Sequence, residues 1–293
     1  MRIAALLSTV LLALPVFAHT PEDTTYKAFQ FPAGHEPQMD GNAADWSQVP
    51  AEYFHDFTLY EERHRDGAAA DTSDLHIRRA AVGWSKSTNR LYFIAELYDD
   101  VWRFHKDHPD SLDTHHSRMT GAHVHGSDMW EIVIDADHGG DKVIGFADRD
   151  EAPHVELRHR SAYTQNYHLY TPPVNGHYWH WLWGKALWTK EERYSAVGWS
   201  GDIAHLGSGT LIYECYLTPF DDLHPAGPHQ SRLHRLSEGN IIGLSWAFLD
   251  ADTSATTYDA FWTFSQDARI YCSGEYLSDF ELMPVEEGLF DKE

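Results

Sequence analysis

Between positions 105 and 138 the chain carries His105, His108, His115, His116, His123, His125 and His138, with Asp107, Asp110, Asp113 and Asp128 among them. Imidazole nitrogens and carboxylate oxygens together suit zinc, copper or iron, although these spacings match no standard site. A second donor set is all oxygen. Asp99 and Asp100 follow one apolar run and Asp250 and Asp252 follow another, while Asp135 and Asp137 flank a turn built on Gly139 and Gly140. Hard oxygen donors are what calcium takes, so Asp99, Asp100, Asp135 and Asp137 are candidate ligands for it; the alternative is a set of ordinary strand-ending turns. A third set is aromatic: in an extended segment Trp179, Trp181 and Trp183 share one face. Such a face can stack on pyranose rings or cover the core.

Other chemistries have no foothold. The sequence holds no nucleophile elbow, phosphate-binding glycine loop, zinc-protease helix or dinucleotide fingerprint. A glycoside hydrolase would need two carboxylates facing each other across a cleft, which neighbouring positions on one strand do not supply. The balance favours a binder over a catalyst.

The elements that must position these groups are strands. Leu91–Leu97 alternates Leu91, Phe93, Ala95 and Leu97 against Tyr92, Ile94 and Glu96, and Met129–Asp135 alternates Trp130, Ile132 and Ile134 against Glu131, Val133 and Asp135. Leu211–Leu217, Ile241–Leu249, Phe261–Phe264 and Phe280–Leu282 complete the set, and no segment carries a long helical stripe. This pattern predicts an all-β fold, an antiparallel β-sandwich of jelly-roll type with long loop insertions at about 101–127 and 148–200.

Residues 1–18 read as a signal peptide, with Arg2 before a short apolar run and cleavage after Ala18. Residues 19–36 follow as an N-terminal extension and 37–293 as one sandwich, in a secreted or periplasmic protein without a membrane span. Lys and Arg number 22 against 45 Asp and Glu, a net charge of −23, which argues against nucleic acid as a partner. Export makes a Cys215–Cys272 disulfide plausible, two separate buried thiols being the alternative.

Five segments in order resemble carbohydrate-binding module family 9. They are Asp40-Gly41 with Asp45-Trp46; Leu91–Ala95 followed by Asp99-Asp100; Asp128-x-x-Glu131 running to Asp135; Glu214 through Leu223; and Gly239 to Asp252, with Phe280–Leu282 closing the set. The resemblance implies a jelly-roll sandwich that binds sugars, in some members with structural calcium. It places the family's hydroxyl-binding glutamate on Glu131, with Asp128 beside it. His125 stands where sugar-binding members have one wall of an aromatic clamp, and Tyr271 is the nearest occupant of the other wall.

The expectation is therefore a non-catalytic carbohydrate-binding protein acting in polysaccharide recognition and catabolism, alone or beside a glycoside hydrolase or another secreted protein. Two alternatives stay open. One is a haem- or metal-binding periplasmic redox partner using the His-rich stretch with Met119 and Met129; the other is a glycoside hydrolase.

Overall fold

The computed structural model describes residues 21, 23–62, 72–103, 126–141, 143, 161–170, 186–253 and 258–290, and the backbone of 180–182. The expected signal segment, His125, Trp179, Trp183, Met119 and the histidines from 105 to 123 lie outside the described residues.

Strands in chain order are β1 (Thr25–Gln30), β2 (Phe54–His55), β3 (Glu61–Glu62), β4 (His76–Ser85), β5 (Arg90–Trp102), β6 (Met129–Asp135) and β7 (Thr164–Tyr170). Then come β8 (His180–Leu182), β9 (Ser195–Gly201), β10 (Gly207–Leu217), β11 (Phe220–Asp222), β12 (Arg232–Leu233), β13 (Ile241–Asp250), β14 (Ala260–Thr263) and β15 (Ser278–Leu282). One layer runs β8-β7-β6-β13-β15-β1 and the other β1-β4-β5-β10-β9, with β14 beside the second half of β13. The pairing is antiparallel except at β1. Thr25–Ala28 pairs parallel with Asp279–Leu282, and Phe29–Gln30 pairs parallel with Gly83–Trp84. Strand β1 thus crosses from one sheet to the other, and the segment expected to be an extension outside the sandwich is the seam that joins its layers. Local sequence does not reveal this, because both of β1's partners are distant in the chain.

Period-two alternation sets what each sheet buries. Leu91, Phe93, Ala95 and Leu97 of β5 and Trp130, Ile132 and Ile134 of β6 meet between the sheets, where Trp246 stacks on Phe264 with ring centroids 4.5 Å apart. The opposite face of β5 presents Tyr92 and Ile94 to a second apolar cluster with Phe31, Trp46 and Tyr53. The Asp40-Gly41…Asp45-Trp46 segment packs there. Buried Glu214 on β10 accepts hydrogen bonds from the Gly41 amide (2.7 Å) and from Trp46 Nε1 (2.9 Å), so two of the segments that resemble the family form one structural joint. Burial, only partly offset by these donors, pushes the Glu214 carboxyl up to about 7.

The expected disulfide is not formed. Cys215 lies fully buried between the sheets on β10, whereas Cys272 caps a short 3-10 helix (Ala268–Tyr271) on the other side of the β6–β13 layer, and both are free thiols. A sheet separates the two sulfurs, which no side-chain rotation can overcome. Titration of the native protein with an aromatic disulfide reagent is expected to modify Cys272 alone, and titration in denaturant both cysteines; a native protein with no reactive thiol would contradict this placement.

Candidate functional site

The outer face of the β6 layer is polar at its centre. Ladder pairing puts His168 of β7 opposite Glu131 of β6, then Ala247 of β13 and Thr263 of β14 in the same row, with the backbone of Trp181 opposite His168 on the far side. Asn166 Nδ2 donates to Glu131 Oε1 at 2.6 Å, and His168 Nε2 stands 3.8 Å from the same oxygen. Asn166 is fully buried and its Oδ1 has no partner, so this face offers acceptors that await a donor. Met129, Val133, Tyr170, Leu249, Phe261 and Ile270 form the apolar ground around the row, and Tyr258 packs half-buried against it. Tyr271, 40% exposed, ends the 3-10 helix beside it.

Burial raises the Glu131 carboxyl to about 7, the Asn166 hydrogen bond opposing. Burial raises both tyrosines as well, Tyr258 to about 12, and the negative charge of Glu131 adds to the rise in each. A carboxyl whose folded pKa lies above its ordinary 4.5 contributes stability that is present below 4.5 and lost as pH rises through about 7. Glu131→Gln keeps an oxygen that can accept from Asn166 but cannot ionise. Its melting temperature should match the wild type near pH 4.5 and exceed it increasingly toward pH 8, read by thermal melts across that range; a gap independent of pH would refute the assignment.

A second polar centre lies where β5 and β13 end and β6 begins. Oxygens of Asp99, Asp128 and Asp250 lie within 4.8 Å of one another, as do those of Asp74, Asp250 and Asp252, and of Asp99, Asp100 and Asp252. Asp99 and Asp250 are 0% exposed and Asp128 is 3% exposed. Burial, and then the neighbouring carboxylates, push Asp250 and Asp128 far up; burial also raises Asp99 and Asp252, with the surrounding acids adding to it. Both oxygens of Asp250, Oδ2 of Asp99 and Oδ1 of Asp252 are buried without a hydrogen-bond partner. Orphaned buried carboxylate oxygens are costly unless a proton or a cation satisfies them. Oxygens on opposite sides of a calcium ion stand about 4.8 Å apart, and the oxygens of each of these trios lie within that distance of one another. The donor set fits a hard divalent cation.

Backbone bonds stitch this centre together. The carboxylate of Asp128 accepts from the amides of Arg103 and Ala251 (2.8 Å to Ala251), while the Arg103 guanidinium donates to the carbonyls of Ala251 and Asp252.

Sequence expectations sort themselves on this geometry. Asp99 and Asp100 lie in the acidic centre with Asp74, Asp128, Asp250 and Asp252. Asp128 does not share a ligand face with Glu131: the two differ in parity on β6, and Asp128 turns to the acidic centre. Asp135 and Asp137 lie at the far end of β6. There Asp135 accepts from the amides of Gly139 (3.2 Å) and Gly140 (2.7 Å), so its carboxylate holds the turn. His138 bonds Asp279 at 2.9 Å at that same end, and Met129 is buried in the apolar ground. Asn166 and His168 went unread although Tyr167 and Leu169 alternate with them; Asp74 carries no local signal at all.

No protein-family profile matches this chain, and no curated protein matches it. Among solved structures, a carbohydrate-binding module of family 9 from Caldicellulosiruptor kristjanssonii in complex with cellotriose is 16% identical, with a TM-score of 0.51 over 89% of this chain and 96% of that one. The chain has the fold of a family 9 carbohydrate-binding module. The glucose complex of a family 9 module from the same organism agrees, at 14% identity, with a TM-score of 0.51 over 90% of this chain and 96% of that one. The expected β-sandwich is thereby borne out. Its layers are built as the alternation predicted, and the 148–200 insertion contributes β7 and β8, which extend the layer carrying Glu131. Among the described residues no helix is long and apolar enough to cross a membrane.

Proposed function

We propose that this is an exported, non-catalytic carbohydrate-binding protein that takes sugar on the outer face of the β6 layer and holds a calcium ion at the acidic centre. The observation that carries the reading is the buried Glu131–Asn166 pair set in an apolar sheet face beside the exposed ring of Tyr271. Sugar hydroxyls supply the donors this face lacks, a carboxylate accepts two neighbouring hydroxyls, and pyranose C–H faces suit the aromatic margin. The folded relatives were solved with cellotriose and glucose, so glucose and β-linked glucose oligomers are the first ligands to try. Asp99, Asp128, Asp250 and Asp252, with Asp74, would hold the cation, which would neutralise their charge and fix three strand ends.

Titration calorimetry of the mature chain with glucose and cellotriose tests the reading. Glu131→Ala is expected to weaken binding by about 10- to 100-fold, the worth of hydrogen bonds to a charged acceptor, with the fold intact by circular dichroism. Unchanged affinity in that variant would remove Glu131 from the site, and a wild type that binds no glycan on a broad array would remove the function.

A further inference from the structure

A polar cleft of about 270 Å³ opens on the other outer face of the sandwich, beside the apolar cluster of Phe29, Phe31 and Trp46 that covers the β4–β5 layer. Pockets for drug-sized ligands run from about 300 to 1,000 Å³, so this one has the size for a single small ring. Three walls form it, and each is anchored. The first is the turn at 34–38. The His35 amide bonds the Pro32 carbonyl (3.1 Å), and the Glu36 carboxylate accepts from the Gly34 amide (2.8 Å) and from the hydroxyls of Ser85 (2.9 Å) and Ser87 at the end of β4. The second is the short 3-10 helix Ala43–Trp46 with the turn that follows it. Asn42 caps this helix by accepting from the Ala44 amide (3.1 Å), and buried Trp46 roots it on Glu214. The Gln38 amide donates to Asp45 Oδ2 at 2.9 Å, which ties the first wall to the second. The third wall is the half-buried ring of Phe290, 4.9 Å from the His35 ring and 6.1 Å from Phe29.

We propose that this cleft is a second carbohydrate site, which takes one neutral sugar residue, so that a single chain holds glycan on both outer faces. The inference rests on the carbohydrate reading for the class of ligand but not on Glu131. The exposed amides of Gln38 and Gln48 and the hydroxyl of Ser47 line the cleft, and each both donates and accepts, as every sugar hydroxyl does. Asp45 adds an acceptor, and Phe290 gives the C–H face of a ring an apolar contact. Glu36 and Asp45 are the charged groups among the described residues that line it, in a chain of net charge −23, which disfavours anionic sugars. Because the walls are tied down before binding, little entropy is spent on ordering them. Two sites with both sheets between them let one chain join two glycan strands, or hold one strand with avidity beyond either site alone.

The test is a titration of the isotope-labelled mature chain with glucose and cellotriose, followed in proton–nitrogen correlation spectra, which locate binding as well as measure it. The side-chain amides of Gln38 and Gln48 report on the cleft directly. Saturable shifts are expected at 34–38 and 44–48, and they should persist in Glu131→Ala. Gln48→Ala removes one hydrogen-bonding group at an exposed position, and Phe290→Leu keeps an apolar side chain against Phe29 while removing the aromatic face. Each is expected to weaken binding in the cleft by about five- to tenfold and to leave the shifts around Glu131 unchanged. Shifts confined to the Glu131 face overturn the inference while the carbohydrate reading stands. So do cleft shifts that vanish in Glu131→Ala, or a cleft affinity that neither Gln48→Ala nor Phe290→Leu lowers. Shifts in the cleft alone keep this site and remove the Glu131 face, and a wild type that responds to neither sugar overturns the inference.

Discussion

Adding a calcium chelator to the mature protein is expected to lower its melting temperature by about 10 °C. A cation held a thousandfold above its dissociation constant stabilises the folded state by about 4 kcal/mol, and each kcal/mol moves the melting point of a domain this size by about 2–4 °C. The carboxylates of Asp99, Asp128, Asp250 and Asp252 are close together and mostly buried, so the cation-free centre must either carry protons or tolerate repulsion. That makes Asp250→Asn diagnostic. The amide nearly preserves shape and removes one negative charge from the most crowded position, so in chelator this variant should melt above the wild type. In calcium the order should reverse, because a ligand has been lost. Differential scanning calorimetry of both proteins in both buffers reads the crossing. Equal melting of the wild type with and without calcium would mean that the centre is neutralised by protons alone.

Gly41→Ala is expected to cost more than about 3 kcal/mol, whereas Gly34→Ala should cost about 1 kcal/mol. Both glycines have positive φ, +86° at Gly34 and +76° at Gly41, so both variants bear the strain of an L-residue in the left-handed region. They differ in space. A Cβ at Gly34 meets nothing within 4 Å, but at Gly41 it would stand 2.2 Å from the Trp199 carbonyl carbon and 2.3 Å from the Ser200 amide nitrogen. Backbone cannot rotate away as a side chain can, so the 39–41 segment must lift off β9. Lifting it breaks the Gly41 amide bond to Glu214 and the Ser200 hydroxyl bond to the Gly41 carbonyl, both 2.7 Å, and strands a buried carboxylate. Urea denaturation of the two variants measures the contrast, and equal costs would show that strain alone governs Gly41.

Strands with one apolar face were legible because alternation is a local property of the chain. Met129–Asp135 and Ile241–Leu249 are strands nearly as read, and the separation of Leu91, Phe93, Ala95 and Leu97 from Tyr92 and Ile94 matches two different clusters in the structure. Strand β7 was not legible. Thr164, Gln165, Asn166 and His168 are polar yet buried, since β7 is covered on both faces by packing that its own sequence does not announce. Strand β1 escaped for a related reason, as its parallel pairings lie with β15 and β4. The Asp-Gly…Trp segment was recognisable as a pattern, but only the contact with Glu214, 173 residues from Gly41, shows what it does.

The candidate sites divide along the same line. Residue type and spacing alone determined that Glu131 lies on the less apolar side of a strand and that Asp99, Asp100, Asp250 and Asp252 follow apolar runs, because a period of two and a break in hydrophobicity are written into neighbouring positions; β5 itself continues through Asp99 and Asp100 to Trp102. Which strand ends share a corner of the sandwich depends on sheet order, and sheet order is settled by contacts between residues far apart in the chain. The tertiary structure therefore decided that Asp74, Asp99, Asp128, Asp250 and Asp252 form one centre, that Asp135 closes a turn, and that Cys215 and Cys272 stay apart.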